Sequence, residues 1–205
     1  MEDVLNLYAE AYDPQYPVVC FDESPYQLIR ETRIPLPVEP GKPARYDYEY
    51  KREGTCNLFM FFQPLACWRH VKVTERRTAN DYAQCLKDLV DVHFPDAVLI
   101  SVVQDNLNTH TGAALYETFA PAEARRILDK LDFRYTPKHG SWLNMAECEF
   151  GVLLGQCLDQ RIPTLALVQR KTLAWERRRN AEKGTVKWRF TTTAAREKLK
   201  RLYPS

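Results

Sequence analysis

The segment Ala97–Val103, followed at once by Gln104-Asp105-Asn106, constrains the fold of this chain more than any other. A short, nearly unbroken apolar run rich in β-branched residues predicts a strand buried on both faces. Such a strand belongs in the middle of a sheet. A second compact run, Pro17-Val18-Val19-Cys20-Phe21, predicts another buried strand and delivers Asp22-Glu23-Ser24 at its end. Packing alone gives no reason for two central strands that each terminate in an aspartate. Bland readings exist for both: Asp22 as a turn acid bonded to backbone near Ser24, and Asp105-Asn106-Leu107-Asn108 as an Asx-type turn.

The pattern around these strands sets the fold class. Residues 34–45 hold four prolines and Gly41, an extended loop that can be neither helix nor central strand. Arg45–Tyr50 alternates as a strand, with a turn expected at Glu53-Gly54, and Asn57–Phe62 and Trp68–Thr74 follow as antiparallel neighbours. Thr78-Ala79-Asn80-Asp81 predicts a capping box opening a helix through about His93. Thr111 can cap a helix to about Phe119, and Pro121 suits the first position of another through Leu131. Phe133–Thr136 predicts a short strand, and Thr164–Lys183 and Thr193–Leu202 predict two basic helices. An antiparallel set followed by strand–helix alternation indicates an α/β protein with a mixed sheet.

Composition excludes several classes. No apolar run approaches the roughly 20 residues of a membrane span, and the start, Met1-Glu2-Asp3-Val4, is too acidic for a signal peptide. The six cysteines include no C-x-x-C pair and several lie in apolar segments, as expected of reduced core residues in a cytosolic protein without structural zinc. The net charge of +2 hides an asymmetry. Residues 161–205 carry 13 Lys/Arg against three Asp/Glu, a balance of +10, whereas residues 1–160 carry 16 against 24, a balance of −8. An acidic body at 1–160 with a basic helical extension at 161–205 packed on it suits a cation site beside a polyanion-binding arm.

A third acid stands out in the stretch Thr136–Phe150. At about 100° per residue, Leu143, Ala146, Phe150, Leu153, Leu154 and Cys157 share an apolar stripe. Glu147 is expected within that stripe, and Glu149 on the opposite side beside Met145 and Gln156. A carboxylate facing a core must be paired, hydrogen-bonded, protonated or metal-bound; a buried salt bridge is the plain alternative. If strand ends and helix starts gather as they do in α/β sheets, Asp22, Asp105 and Glu147 converge. Three converging carboxylates repel one another unless hard divalent cations join them. Two such ions about 4 Å apart can activate an attacking oxygen and stabilise a leaving one at phosphate.

These residues resemble the DDE transposases of the mariner-like superfamily, in particular the branch encoded by bacterial insertion sequences. The resemblance rests on Val18-Val19-Cys20-Phe21-Asp22-Glu23, on Gln104-Asp105-Asn106 followed by His110-Thr111, and on Trp142-Leu143-Asn144-Met145-Ala146-Glu147. It extends to Thr136-Pro137-Lys138-His139-Gly140-Ser141 and Trp188-Arg189-Phe190-Thr191-Thr192, nearly the whole chain. It implies a ribonuclease-H-like fold, a five-stranded mixed sheet flanked by helices. It also implies cleavage at transposon ends and joining of the 3′-hydroxyl to target DNA, dependent on two Mg²⁺ or Mn²⁺ ions. Asp22, Asp105 and Glu147 would be the catalytic metal ligands, with Asn106, His110 and Asn144 behind them. Lys138 and His139 are expected to contact phosphate, and the basic residues Arg177, Arg178, Arg179, Lys187 and Arg189 to contact DNA. A homodimer working on paired ends, in the bacterial cytoplasm and on the nucleoid when DNA-bound, follows by the same analogy. The family carries amino-terminal helix-turn-helix domains; these 205 residues open on a short helical lead-in instead, so specific end recognition is not expected of them. A catalytically silent DNA-binding remnant and a non-transposing ribonuclease-H-like nuclease remain the alternatives.

Overall fold

The structure, a computed structural model, describes residues 1–106, 111–138 and 140–203. Five strands form one sheet: β1 (Val18–Glu31), β2 (Tyr50–Gln63), β3 (Trp68–Thr74), β4 (Ile100–Gln104) and β5 (Leu131–Tyr135), in the order β3-β2-β1-β4-β5. The long strands β1 and β2 pair antiparallel, as do β2 and β3, whereas β4 runs parallel to β1 and β5 parallel to β4. The expected mixed sheet is therefore present.

Helices cover both faces, and side-chain alternation decides which residues meet which helix. On one face, Val18 and Cys20 of β1, Leu58, Met60 and Phe62 of β2 and Val103 of β4 form a core with residues of α1 (Glu2–Tyr8), α5 (Met145–Leu153), α6 (Leu165–Ala181) and α7 (Thr192–Lys198). On the other, Val19, Phe21, Phe59, Phe61, Ile100 and Val102 pack against α2 (Ala79–Asp88), α3 (Ala113–Thr118) and α4 (Pro121–Leu128). The basic segment after residue 160 is thus part of the first core, through Ile162, Val168, Trp175 and Ala195.

Several boundaries move for physical reasons. β1 does not stop at Asp22 but continues to Glu31, because β2 supplies a partner along that whole length. No turn forms at Glu53-Gly54: β2 runs straight through. Gly54, at φ +98°, takes up an irregularity where the register shifts opposite Gln27 and Ile29. β4 starts only at Ile100, leaving Val98 exposed. The helix beginning at Pro121 ends at Leu128 so that β5 can start at Leu131. The capping box at Thr78 is formed as expected, and α2 continues into a π-helical turn, Leu89–His93. Among the described residues, no helix is long and apolar enough to cross a membrane.

Candidate active site

The two aspartates follow paired stretches of neighbouring strands. Parallel β1 and β4 pair Val18 with Ser101 and Cys20 with Val103. Asp22 and Asp105 each lie two residues beyond the last of these pairs, Asp22 within β1 and Asp105 just past the end of β4. Alternation along β1 puts Asp22 on the face of Cys20, toward α5, and both aspartates are half-buried. Asp22 accepts a hydrogen bond from the Glu23 backbone N–H at 2.8 Å. Gln104, fully buried beside Asp105, accepts from the Tyr82 hydroxyl of α2 at 2.9 Å through its side chain and from Thr136 N–H at 2.9 Å through its carbonyl. The end of β4 is therefore held from both sides.

The helix bearing Glu147 is tethered to the same point. Asn144 caps α5: its side-chain oxygen accepts from Ala146 N–H at 3.1 Å, and its amide donates to the Phe21 carbonyl at 2.7 Å. One buried side chain thus joins the start of α5 to the residue preceding Asp22. Tyr8 of α1 adds a second brace, donating to the Leu143 carbonyl at 2.8 Å, with its hydroxyl 3.2 Å from Cys20 Sγ. Burial pushes the Cys20 thiol up to about 12, so it serves as packing.

Glu147 itself is exposed, and this corrects the expected helix face: the buried acid is Glu149. The expected stripe includes Leu143, but Leu143 ends a separate 3₁₀ turn (Ser141–Leu143) and Asn144 is extended, at φ −81° and ψ 108°. The α-helix starts at Met145, so its buried face is Met145, Ala146, Glu149, Phe150 and Leu153, and Leu154 is exposed. The rule that a buried carboxylate must find a partner is obeyed at Glu149, by Arg69 and Arg179.

The other expected residues divide. Asn106 and Lys138 are exposed near the strand ends, and Arg177, Arg178, Lys187 and Arg189 are exposed on the carboxyl-terminal segment. Arg179, expected to contact DNA, instead turns inward to Glu149. His110 and His139 lie outside the described residues. Arg69 was overlooked. Its signal was the strand alternation that puts it on the face of Val71 and Val73, a charge on an apolar side.

Asp22, Asp105 and Glu147 offer only hard carboxylate oxygens, a donor set that suits Mg²⁺ or Mn²⁺. Among the described residues, no group of three or more His, Cys, Asp or Glu side chains is a ready-made metal-ligand cluster.

A mixed sheet of this order, with Asp22 inside β1, Asp105 just past β4 and a third acid on the covering helix, defines a protein of ribonuclease-H-like fold. Residues 17–168 match the family model described as DDE superfamily endonuclease, and the chain belongs to that family. Among solved structures it is similar to the Mos1 mariner paired-end complex with Mn, at TM-score 0.60 and 18% identity, covering 89% of this chain and 54% of that one. It is also similar to the Mos1 transposase paired-end complex with left transposon end, at TM-score 0.58 and 18% identity over 86% of this chain and 52% of that one. The Mos1 paired-end complex with Mg matches at TM-score 0.55 and 21% identity, with coverages of 85% and 52%. The chain spans about half the length of these solved chains. The curated proteins include no match to it.

Proposed function

We propose that this chain is the catalytic domain of a transposase, cleaving DNA at transposon ends and transferring the freed 3′-hydroxyl into target DNA. The observation that carries the reading is the parallel pairing of β1 and β4 up to Cys20 and Val103, two residues before Asp22 and Asp105, with the Glu147 helix tied to Phe21 through Asn144. Asp22, Asp105 and Glu147 would hold two Mg²⁺ or Mn²⁺ ions. When bound, such ions activate the attacking water or hydroxyl and stabilise the leaving oxygen at phosphate. The protein's own part is to fix the carboxylates: Gln104 anchors the end of β4 beside Asp105, and Asn144 the start of α5. Exposed Lys138, Arg177, Arg178, Lys187 and Arg189 would meet the DNA backbone. Two copies would act on two transposon ends brought together; the similar Mos1 structures are paired-end complexes.

Metal linkage tests this reading. At about tenfold excess over its Kd, Mn²⁺ is expected to raise the Tm of the wild type by about 3–6 °C. Asp105→Asn should abolish most of that rise; an undiminished rise would remove Asp105 from the site. Incubation with a pre-cut transposon end and a plasmid should yield joined products, whereas nicking alone would indicate a nuclease that does not transpose.

A further inference from the structure

Three charges cluster on the far side of α5 from Glu147, two of them fully buried. Glu149 and Arg69 are both without solvent exposure, and Arg69 Nε lies 3.0 Å from Glu149 Oε1. Arg179 of α6 grips the same carboxylate with both arms of its fork, Nε donating to Oε1 and Nη2 to Oε2 at 3.2 Å. Arg69 is fixed in turn: Nη1 donates to Asn180 Oδ1 at 2.9 Å and to the Cys67 carbonyl at 3.2 Å, and Nη2 to the Gly184 carbonyl. One carboxylate on α5 is thereby joined to β3 and to α6.

Stability is a weak reason for such a cluster, because well-packed apolar residues of similar volume are commonly as stable or more so. What the cluster has, and an apolar patch lacks, is direction. A guanidinium fork accepts a carboxylate in few orientations. Glu147 precedes Glu149 by two residues, about 200° around the helix. Holding Glu149 against β3 and α6 therefore turns Glu147 the other way, out of the core. Asn144 holds the start of the helix to β1. α5 thus carries one anchor before Glu147, at Asn144, and one after it, at Glu149.

We propose that the Arg69–Glu149–Arg179 cluster is a positioning device that sets the roll of α5 and so aims Glu147 at the divalent ions shared with Asp22 and Asp105. It rests on the reading of Glu147 as the third metal ligand. The three residues touch no reacting atom; they act through Glu147. Cys148, exposed on α5 beside Glu147, gives a metal-free report on the same roll.

The test compares Mn²⁺ binding, titrated by electron paramagnetic resonance, in the intact wild-type chain, Glu147→Gln, Glu149→Gln and the triple variant Arg69→Met, Glu149→Leu, Arg179→Met. Circular dichroism checks that each is folded, and Cys148 alkylation is followed by mass spectrometry. Glu147→Gln should weaken Mn²⁺ binding by about tenfold or more, and the folded cluster variants by about tenfold, the range seen when the groups supporting a metal ligand are removed. The Cys148 alkylation rate should change in the cluster variants. Should the triple variant not fold, Glu149→Gln, which keeps the side-chain shape, carries the comparison. Folded cluster variants that bind Mn²⁺ as tightly as wild type, while Glu147→Gln does not, would overturn the positioning role alone. Glu147→Gln binding Mn²⁺ like wild type would instead overturn Glu147 as a ligand, and the positioning role with it.

Discussion

Two residues apart on α5, Glu147 reaches solvent while Glu149 sits between two guanidiniums, and the difference is one of helix phase. Histidine 93 shows the same sensitivity to surroundings. Its ring centroid lies 4.4 Å from that of His70 and 5.1 Å from that of Trp68. Burial first, and the neighbouring His70 second, push its pKa from 6.5 down to about 4. Between those two values the unfolded chain binds a proton that the folded one does not. Stability contributed by neutral His93 is therefore present above about pH 6.5 and lost as pH falls toward 4. His93→Phe keeps the ring packing and should flatten the fall in Tm between those limits. The difference should reach up to about 2 kcal/mol, less than the full shift because the ring is partly exposed; an equally steep profile in the variant would assign the acid sensitivity elsewhere. At this scale the sequence was legible wherever a residue's role depends on its near neighbours. Thr78 with Asp81 announced its capping box. Glu149 was not legible, because its burial depends on where α5 starts and on arginines 80 residues earlier and 30 later.

Among the elements, α6 solves a problem that β3 creates. An edge strand presents unpaired backbone groups that invite association. Side chains of α6 occupy them: Asn180 accepts from Arg69 N–H at 2.9 Å and donates to the Arg69 carbonyl at 2.9 Å. Glu176 accepts from Val71 N–H at 2.9 Å, and Gln169 donates to the Val73 carbonyl at 3.2 Å. Gln169→Ala combined with Glu176→Ala should lower stability by about 1–3 kcal/mol and raise self-association in light scattering. Unchanged scattering would show that the edge is guarded by something other than these contacts. The sequence reading places a strand at Trp68–Thr74, a helix opening on the Thr78 box and a basic helix over Thr164–Lys183, close to β3, α2 and α6. That α6 lies along the β3 edge was not readable, since a glutamine or asparagine on a helix looks the same whether it meets water or a strand.

For the molecule as a whole, the charge asymmetry survives folding but in divided form. The segment after residue 160 contributes Val168, Trp175 and Ala195 to the core while keeping Arg177, Arg178, Lys187 and Arg189 outward. Arg177→Gln with Arg178→Gln should weaken DNA binding and reduce the slope of log K against log salt by about 2, near the value for two lost phosphate contacts, with the Mn²⁺ response unaltered. An unmoved slope would make these arginines a solvated surface. Arg179→Gln should behave differently, lowering stability itself, because it strips a buried carboxylate of a partner.

Local chemistry in the chain was enough to determine the two buried strands, the capping box at Thr78 and the mixed sheet, since periodicity and capping act over a few residues; the expected Thr111 cap does not form, and α3 opens at Gly112 without a side-chain cap. Only the tertiary structure decided that Asp22 lies within a longer strand, that Asn144 ties α5 to Phe21, and that Glu149 rather than Glu147 is the buried acid. Those outcomes depend on strand register and helix roll. Both are set by contacts between segments far apart in the chain, whose energies no short stretch of sequence contains.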